Sequence, residues 1–105
     1  MNRVTELKTA NEQRNFCGSA THVVIFYGSS KCGHCKVMGP IYDELPQQYP
    51  NIKFAHVETS RVKVDNIDGV PVFVLYEEGE PVQKIVGARR DELMNLIESI
   101  NNLYM

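Results

Sequence analysis

Residues 23–49, VVIFYGSSKCGHCKVMGPIYDELPQQY, contain the pattern that decides the fold of this chain. The first five residues are apolar and mostly β-branched or aromatic, and they are too few for a helix, so they predict a buried strand. A turn-forming segment, Gly28-Ser29-Ser30, ends that strand. Apolar residues with the spacing of one helix face follow, namely Val37, Met38, Ile41 and Leu45. The stretch therefore predicts a strand, a short turn and a helix.

Cys32 and Cys35 lie at the predicted start of this helix, separated by Gly33 and His34. Free backbone N–H groups and the positive end of the helix dipole favour an anion at that place, so they stabilise a cysteine thiolate. The thiolate is the nucleophilic form of cysteine. Because two intervening residues let the sulfurs meet across one turn, the tetrapeptide predicts a dithiol that closes reversibly to a disulfide.

A zinc site and a structural disulfide are two other uses of a Cys-x-x-Cys pair. Zinc takes four ligands, commonly with a second Cys or His pair, whereas this chain has no second Cys-x-x-Cys, and His22 and His56 stand alone. A disulfide across so short a loop constrains little chain. We therefore expect redox chemistry without metal ligands and keep the two alternatives as the less favoured interpretations.

The composition narrows the class of protein. A length of 105 residues with 43% hydrophobic residues predicts one domain, residues 1–105, with a single core. The net charge of −2 argues against a nucleic-acid partner. The N-terminal segment has no apolar stretch typical of a secretory signal, and no apolar run approaches the roughly 20 residues of a membrane span. The odd count of three cysteines fits a reducing compartment, so we expect a cytoplasmic protein without a membrane partner.

Before the central stretch, the sequence predicts a weak edge strand over residues 3–8 and a short helix. Thr9 and Glu12 match the capping-box pattern that opens a helix, and Gly18 is expected to stop it. Cys17 falls at the end of this helix. We expect it to be a buried apolar side chain, with a regulatory thiol as the alternative.

After the cysteines, Pro40 is expected to kink the central helix and Pro46 to end it near Leu45. Three strands are predicted over residues 52–57, 70–76 and 82–86, and a last helix with an apolar face at Leu93, Leu96, Ile97, Ile100 and Leu103. Helix-linked strands are expected to be parallel and the final hairpin antiparallel. The fold class predicted from this order is α/β, with a mixed sheet.

Motifs spread from about residue 3 to residue 103 resemble the thioredoxin superfamily. They are Phe26-Tyr27, Cys32-Gly33-His34-Cys35-Lys36, Pro40, Gly69-Val70-Pro71, Gly79 and Val86-Gly87-Ala88. The Cys-Gly-His-Cys tetrapeptide is similar to that of protein disulfide isomerase domains, whereas thioredoxins usually carry proline in place of His34. The resemblance implies the thioredoxin fold, a central mixed sheet flanked by helices, and a thiol–disulfide oxidoreductase that acts on protein substrates.

The resemblance also implies a role for each cysteine. Cys32, the more exposed of the two in the family, is the expected nucleophile, and Cys35 is expected to resolve the mixed disulfide. The Cys32–Cys35 disulfide is then the redox group, with no further cofactor. We expect a monomer that exchanges with protein thiols or disulfides and is recycled by a reductase or an oxidase that the sequence does not identify.

Residues around the pair are expected to tune it and to bind substrate. A hydrogen-bonding or cationic His34 favours the Cys32 thiolate, and Gly33, Lys31 and Lys36 complete the tuning set, although exposed charges are screened. By resemblance, Pro71 is the family's cis-proline. The expected substrate groove consists of Val70, Pro71, Gly87 and Ala88 beside the tetrapeptide.

Two departures from the family concern the site, and a third concerns the length of a helix. Lys31 replaces a tryptophan, and Phe26 replaces a buried acid that accepts the proton of the resolving thiol. His56 and Glu58 on the next predicted strand are candidate replacements for that acid. The family's helix before the cis-proline is expected to shrink to about one turn at residues 61–64.

Two alternatives to a protein-disulfide oxidoreductase remain open. The missing acid and tryptophan fit a non-catalytic thioredoxin-like interaction module, although the retention of both cysteines with His34 argues against it. A glutaredoxin that uses glutathione is the second alternative. Its usual Gly-Gly after the hairpin is replaced here by Val86-Gly87-Ala88.

Overall fold

Strand β2, His22–Gly28, lies at the centre of the sheet, and every one of its residues is buried. The structure is a computed structural model that describes residues 3–104, so both ends of the predicted domain 1–105 lie outside the described residues. In residues 3–104 the other elements are β1 Thr5–Leu7, α1 Ala10–Cys17, α2 Gly33–Gln48, β3 Lys53–Glu58, β4 Val72–Glu77, β5 Glu80–Val86 and α3 Arg90–Asn101, followed by the 3-10 turn Asn102–Tyr104.

The strand order in the sheet is β1-β3-β2-β4-β5. Strand β3 is parallel to both β1 and β2, whereas β4 is antiparallel to β2 and to β5. Helix α2 carries the chain back between β2 and β3, and such a crossover makes the two strands parallel. The mixed sheet predicted from the order of the elements is therefore confirmed.

The two faces of β2 belong to two hydrophobic clusters. Val24 and Phe26 pack with residues of α2 and α3, while Val23, Ile25 and Tyr27 pack on the side of α1. Alternate residues of a strand point to opposite faces, and helices cover both faces here. This explains why β2 is a continuous apolar run rather than an alternating one.

Helix α1 begins as its capping pattern predicts. The Glu12 backbone N–H donates to Thr9 Oγ1 at 3.1 Å, while the Glu12 carboxylate accepts from the Lys8 backbone N–H at 2.9 Å. In a standard capping box the Glu12 carboxylate would accept from the N–H of Thr9, the cap residue. Here it accepts from the preceding residue, Lys8. Gly18 ends the helix, and its N–H donates to the carbonyl of Phe16.

Helix α2 runs on through Pro46 to Gln48, so the prediction that it ends near Leu45 is wrong. Proline lacks the N–H of one helical hydrogen bond, but the bond from Tyr49 N–H to the Leu45 carbonyl, 2.8 Å, continues the helical pattern. The side chains of Tyr42, Leu45, Pro46 and Tyr49 are buried. Burial of these side chains against the sheet therefore offsets the hydrogen bond that Pro46 cannot donate. The local sequence pattern does not reveal this burial.

The segment between β3 and β4 contains no helix, and all of its residues are described. One turn forms where the N–H groups of Arg61 and Val62 both donate to the Glu58 carbonyl at 3.0 Å. The predicted shortening is thus correct, but the turn lies about three residues earlier than residues 61–64. Val62 is buried and belongs to the hydrophobic cluster on the α1 side of the sheet.

Two strand boundaries near the end of the chain differ from the prediction. Strand β4 begins at Val72, one residue after Pro71, and β5 begins already at Glu80. The connection is short because Glu78 and Gly79 both have positive φ, 51° and 87°. A two-residue turn of this kind matches the twist of the flanking strands.

Helix α3 buries Leu93, Ile97 and Ile100, as its spacing predicts. Leu103 is 69% exposed, so its assignment to the apolar face is wrong. The α-helix ends at Asn101 and continues as a 3-10 turn. Because a 3-10 turn has three residues per turn, the residues beyond Asn101 rotate out of the phase of the helix face.

Candidate active site

Cys32 caps the N-terminus of α2. Its backbone is extended, with φ −100° and ψ 120°, and Gly33 is the first helical residue. The backbone N–H of Cys35 donates to Cys32 Sγ at 3.2 Å. That N–H belongs to the first turn, where backbone donors have no partner within the helix. The helix start therefore directs a hydrogen-bond donor and its positive dipole end at the Cys32 sulfur.

Cys35 lies one turn further on and is only 6% exposed. Burial raises the pKa of its thiol to about 11, and the hydrogen bond to Cys32 and the negative charges of Cys32 and Glu58 act in the same direction. Cys35 thus keeps its proton at neutral pH, while the half-buried Cys32 is the accessible sulfur. The two cysteines therefore differ in exposure and in their surroundings.

Two contacts link three distant segments of the chain beside Cys32. The Cys32 thiol lies 3.7 Å from the Val70 carbonyl oxygen, a distance that suits an S–H donor. The Val70–Pro71 peptide bond is cis, as the resemblance implies. The Pro71 carbonyl in turn accepts from Gly87 N–H at 2.8 Å. The turn before α2, the segment before β4 and the end of β5 therefore form one continuous surface, with Ala88 exposed at its edge.

Exposed apolar side chains flank this surface. Val37 is 64% exposed on the first turns of α2, and Val86 is 57% exposed next to Gly87. Exposed apolar groups beside a reactive group are typical of a protein contact surface. The helical spacing predicts Val37 on the buried face of α2, and this prediction is wrong.

The residues predicted to tune the pair surround it along the chain. Lys31, Gly33, His34 and Lys36 are all exposed, and a Cβ at Gly33 would have nothing within 4 Å. Within residues 3–104, none of the side-chain hydrogen bonds joins these residues to a cysteine sulfur. Any effect of Lys31, His34 or Lys36 on the Cys32 thiolate is therefore electrostatic and acts through solvent.

The buried ring of Phe26 lies behind Cys35 in the same hydrophobic cluster, and we call this ring the apolar floor of the site. Its ring stacks on Phe73 with 4.7 Å between centroids and meets Tyr42 and His56 edge to face at 5.2 and 5.1 Å. A Cβ on Gly28 would lie 2.8 Å from the Phe26 ring and 3.4 Å from Cys35 Sγ. The ring and the sulfur are thus close neighbours, and Gly28 is required between them.

A pocket of about 310 Å³ opens beside Phe26 and Cys35. It includes His56 and Glu58, the two candidate replacements for the missing acid, and also Glu6. No local sequence pattern points to Glu6. It is 50 residues away from His56, and only the parallel pairing of β1 with β3 places the two side by side.

A larger cavity, about 830 Å³, lies between α1, the loop before β4 and strand β5. Cys17 lines it but is 8% exposed, and burial raises the pKa of its thiol. The predicted burial of Cys17 is thus confirmed. This cavity includes neither Cys32 nor Cys35 and takes no part in the candidate site.

Two further properties concern the described part of the chain. Residues 3–104 contain no group of three or more His, Cys, Asp or Glu side chains placed to hold a metal ion. None of the helices described between these residues has the length and apolar character needed to cross a membrane.

Comparisons with known proteins agree with this geometry. The family described as Thioredoxin matches residues 3–99. A putative thioredoxin-4 of Dictyostelium discoideum is 30% identical over 104 residues, covering 95% of this chain and 99% of the relative. Two solved structures each superpose on 91% of this chain. Plasmodium falciparum thioredoxin is 27% identical, with 98% of its own chain covered and a TM-score of 0.86. Mitochondrial thioredoxin 3 of Saccharomyces cerevisiae is 30% identical, with 94% of its own chain covered and a TM-score of 0.84. The chain therefore belongs to the thioredoxin family and is a thiol–disulfide oxidoreductase.

Proposed function

We propose that the chain exchanges disulfides with protein substrates through Cys32 and Cys35. The observation that carries this proposal is the inequality of the two sulfurs. Cys32 is accessible and accepts the Cys35 N–H at 3.2 Å, whereas Cys35 is buried and retains its proton. A nucleophile and a resolving thiol need this difference, because the first must attack substrate and the second must attack only the resulting intermediate.

The reaction proceeds in two exchange steps. The Cys32 thiolate attacks a substrate disulfide, so that one substrate sulfur leaves as a thiolate and the other stays bound to Cys32. Cys35 then loses its proton and attacks Cys32 Sγ, which forms the Cys32–Cys35 disulfide and releases the second substrate thiolate. Two electrons pass to the substrate, and the reverse sequence oxidises a substrate dithiol. The redox-active disulfide is the only redox group that this cycle needs.

Val70, Pro71, Gly87 and Ala88 form the proposed substrate groove. The Val70 carbonyl points at the Cys32 thiol, and the bond between Pro71 and Gly87 holds the two groove segments together. An extended substrate strand beside Val70 would place its own cysteine next to Cys32. The exposed valines at the groove edge offer apolar contacts to a protein substrate.

His34 is the proposed tuning residue for the direction of exchange. It is exposed in the first turn of α2, two residues after Cys32. An imidazole there supports the thiolate and hence the reduced form. We expect a reduction potential between about −270 mV, typical of thioredoxin, and about −180 mV, typical of protein disulfide isomerase.

The proposed partners are proteins that carry thiols or disulfides, together with a reductase or an oxidase that restores the starting state of the pair. We further propose that residues 1–105 act as one domain and as a monomer. The cytoplasm is the proposed compartment, since a reducing environment maintains the dithiol that attacks substrate disulfides.

Reduction of insulin disulfides in the presence of a dithiol tests the function. We expect activity from the wild-type chain and from Cys17→Ser, and none from Cys32→Ser. A wild-type chain without activity would support the non-catalytic interaction module. Exchange that needs glutathione with hydroxyethyl disulfide as the substrate would instead support a glutaredoxin.

A further inference from the structure

The second exchange step needs a group that accepts the Cys35 proton. Only the thiolate attacks, and burial holds the Cys35 thiol in its protonated form. The apolar ring of Phe26, which accepts no proton, lines the pocket beside this sulfur. The acceptor must therefore lie across the pocket beside Cys35, and its assignment depends on the function proposed above.

Three elements direct titratable or charged groups at this pocket. Besides Cys35, these groups are Glu6 from β1, Lys36, Tyr42 and Asp43 from α2, and His56 and Glu58 from β3. A volume of about 310 Å³ holds several water molecules, since one water occupies about 30 Å³ in the liquid. The pocket therefore has room for water between Cys35 and the groups on β3.

Tyr42 and Glu58 are poor candidates for the proton acceptor. The Tyr42 hydroxyl donates to the backbone carbonyls of Val24 and Ala55. The Glu58 carboxylate accepts from Ser30 N–H at 2.9 and 3.1 Å and from the Ser60 hydroxyl at 2.6 Å. The bond from Ser60 is the main reason why the pKa of Glu58 lies below its usual value. Glu58 is therefore a weak base, and its hydrogen bonds serve to hold the turn before α2.

The contacts of His56 are those of a general base whose ring is oriented by a carboxylate. Its Nδ1 lies 2.8 and 3.0 Å from the two carboxylate oxygens of Glu6, and its ring packs edge to face on Phe26. A carboxylate at Nδ1 takes the N–H of the neutral imidazole, so Nε2 keeps a free lone pair. This is the arrangement by which an acidic residue orients a histidine base in nucleophilic catalysis.

We propose that His56, oriented by Glu6, accepts the Cys35 proton through water in the pocket beside Phe26. The S–H bond of Cys35 breaks as a water molecule takes its proton and gives another to His56 Nε2. The Cys35 sulfur then forms its bond with Cys32 Sγ, while the bond from Cys32 to the substrate breaks. The released substrate thiolate, or solvent, finally takes the proton from the imidazolium.

Stopped-flow mixing of the reduced protein with a fluorescent peptide disulfide separates attack from release. The observed rate of attack by Cys32 increases with peptide concentration, whereas the rate of peptide release from Cys32 does not depend on it. For His56→Gln we expect release at pH 7 to slow by about 100-fold, the lower range for general-base catalysis, while attack changes less than about two-fold. Glu6→Gln removes the orienting carboxylate and should slow release by a smaller factor. Glu44→Gln is the matched control, since Glu44 is exposed on α2 and does not line the pocket.

A pH series and a rescue experiment distinguish a base from a merely structural residue. Wild-type release should slow in acid as the imidazole is protonated. In His56→Gln this inflection should be lost, and release should instead rise steadily with pH, because Cys35 must then give its proton to solvent. Added imidazole should restore release in His56→Ala but not in Cys35→Ser. Release at the wild-type rate and pH profile in His56→Gln would overturn the proposal, as would a Glu58→Gln variant that loses release while His56→Gln retains it. Failure of the proposed function is distinct, because the wild-type chain would then form no peptide adduct at all.

Discussion

Cys32 Sγ accepts a hydrogen bond from the backbone N–H of Cys35 at 3.2 Å, at the first turn of α2. This contact explains how one short segment produces two different sulfurs. The turn after β2 places Cys32 at the cap, where it receives the donor, while the helix carries Cys35 into the core beside Phe26. The proposed division of labour between nucleophile and resolving thiol thus follows from position in the helix.

Phe26→Asp tests the apolar floor behind Cys35. Truncating a buried phenylalanine costs about 3–5 kcal/mol, and a buried carboxylate adds a desolvation penalty. We expect the free energy of unfolding to fall by about 3 kcal/mol or more, and release of substrate to quicken where the variant folds. Urea unfolding and the stopped-flow release assay measure both quantities.

Phe26→Leu is the control, because it changes packing without adding a base. It should lower the free energy of unfolding by less and should not quicken release. A Phe26→Asp protein that is more stable than the wild type and releases substrate no faster would contradict this account of the floor.

Cys17 should be unreactive in the folded state. It is 8% exposed, and burial raises the pKa of its thiol. Native alkylation by iodoacetamide, followed by peptide mass spectrometry, should label Cys32 far ahead of Cys17. Unfolding in urea should equalise the two rates. Native labelling of Cys17 at the rate of a free model thiol would refute its assignment to the core.

The stability of the reduced protein should fall at alkaline pH. Burial raises the pKa of Cys35 from 9.0 to about 11. A group with a raised pKa contributes stability below its unfolded pKa and loses that contribution as pH rises through the folded value. The free energy of unfolding of the reduced wild type should therefore decrease relative to Cys35→Ala between about pH 9 and about pH 11. A difference that stays constant over this interval would argue against the buried, protonated thiol.

His34→Pro tests the tuning residue. Losing the imidazole removes its support for the Cys32 thiolate, so the dithiol becomes less stable relative to the disulfide. We expect the reduction potential to fall by about 30 mV or more, which corresponds to about 1.4 kcal/mol. Equilibration with glutathione buffers, read by alkylation state, measures the potential.

Lys31→Gln and Lys36→Gln are the matched comparisons for His34, since both lysines are exposed beside the same pair. Each should shift the potential less than His34→Pro does, and the shift should shrink in high salt. An unchanged or higher potential in the His34→Pro protein would transfer the tuning role to these lysines.

Local pattern was sufficient for the elements that carry the cysteines. The apolar run of β2, the turn and the helical spacing after Cys35 are short-range signals, and the two thiols lie where these signals place them. Pro46 shows the limit of local pattern, because its buried ring stabilises a helix that the backbone chemistry of proline alone would end.

Long-range pairing accounts for most of what the sequence did not reveal about the site. No spacing rule connects Glu6 with His56, and only the β1–β3 register brings them together. Val37 was placed in the core because it fits the helix period, yet its position on α2 faces solvent beside the candidate groove. Residues of this kind become visible only once the sheet order is known.

Trapping of the mixed disulfide tests the central claim most directly. Cys35→Ser protein, mixed with a protein disulfide and quenched by alkylation, should accumulate a covalent adduct whose mass and peptide map place the bond at Cys32. Cys32→Ser should give none, and Cys17→Ser should turn over without accumulating adduct. Adducts through Cys35 in the Cys32→Ser protein, with none in Cys35→Ser, would contradict the assignment of nucleophile and resolving thiol.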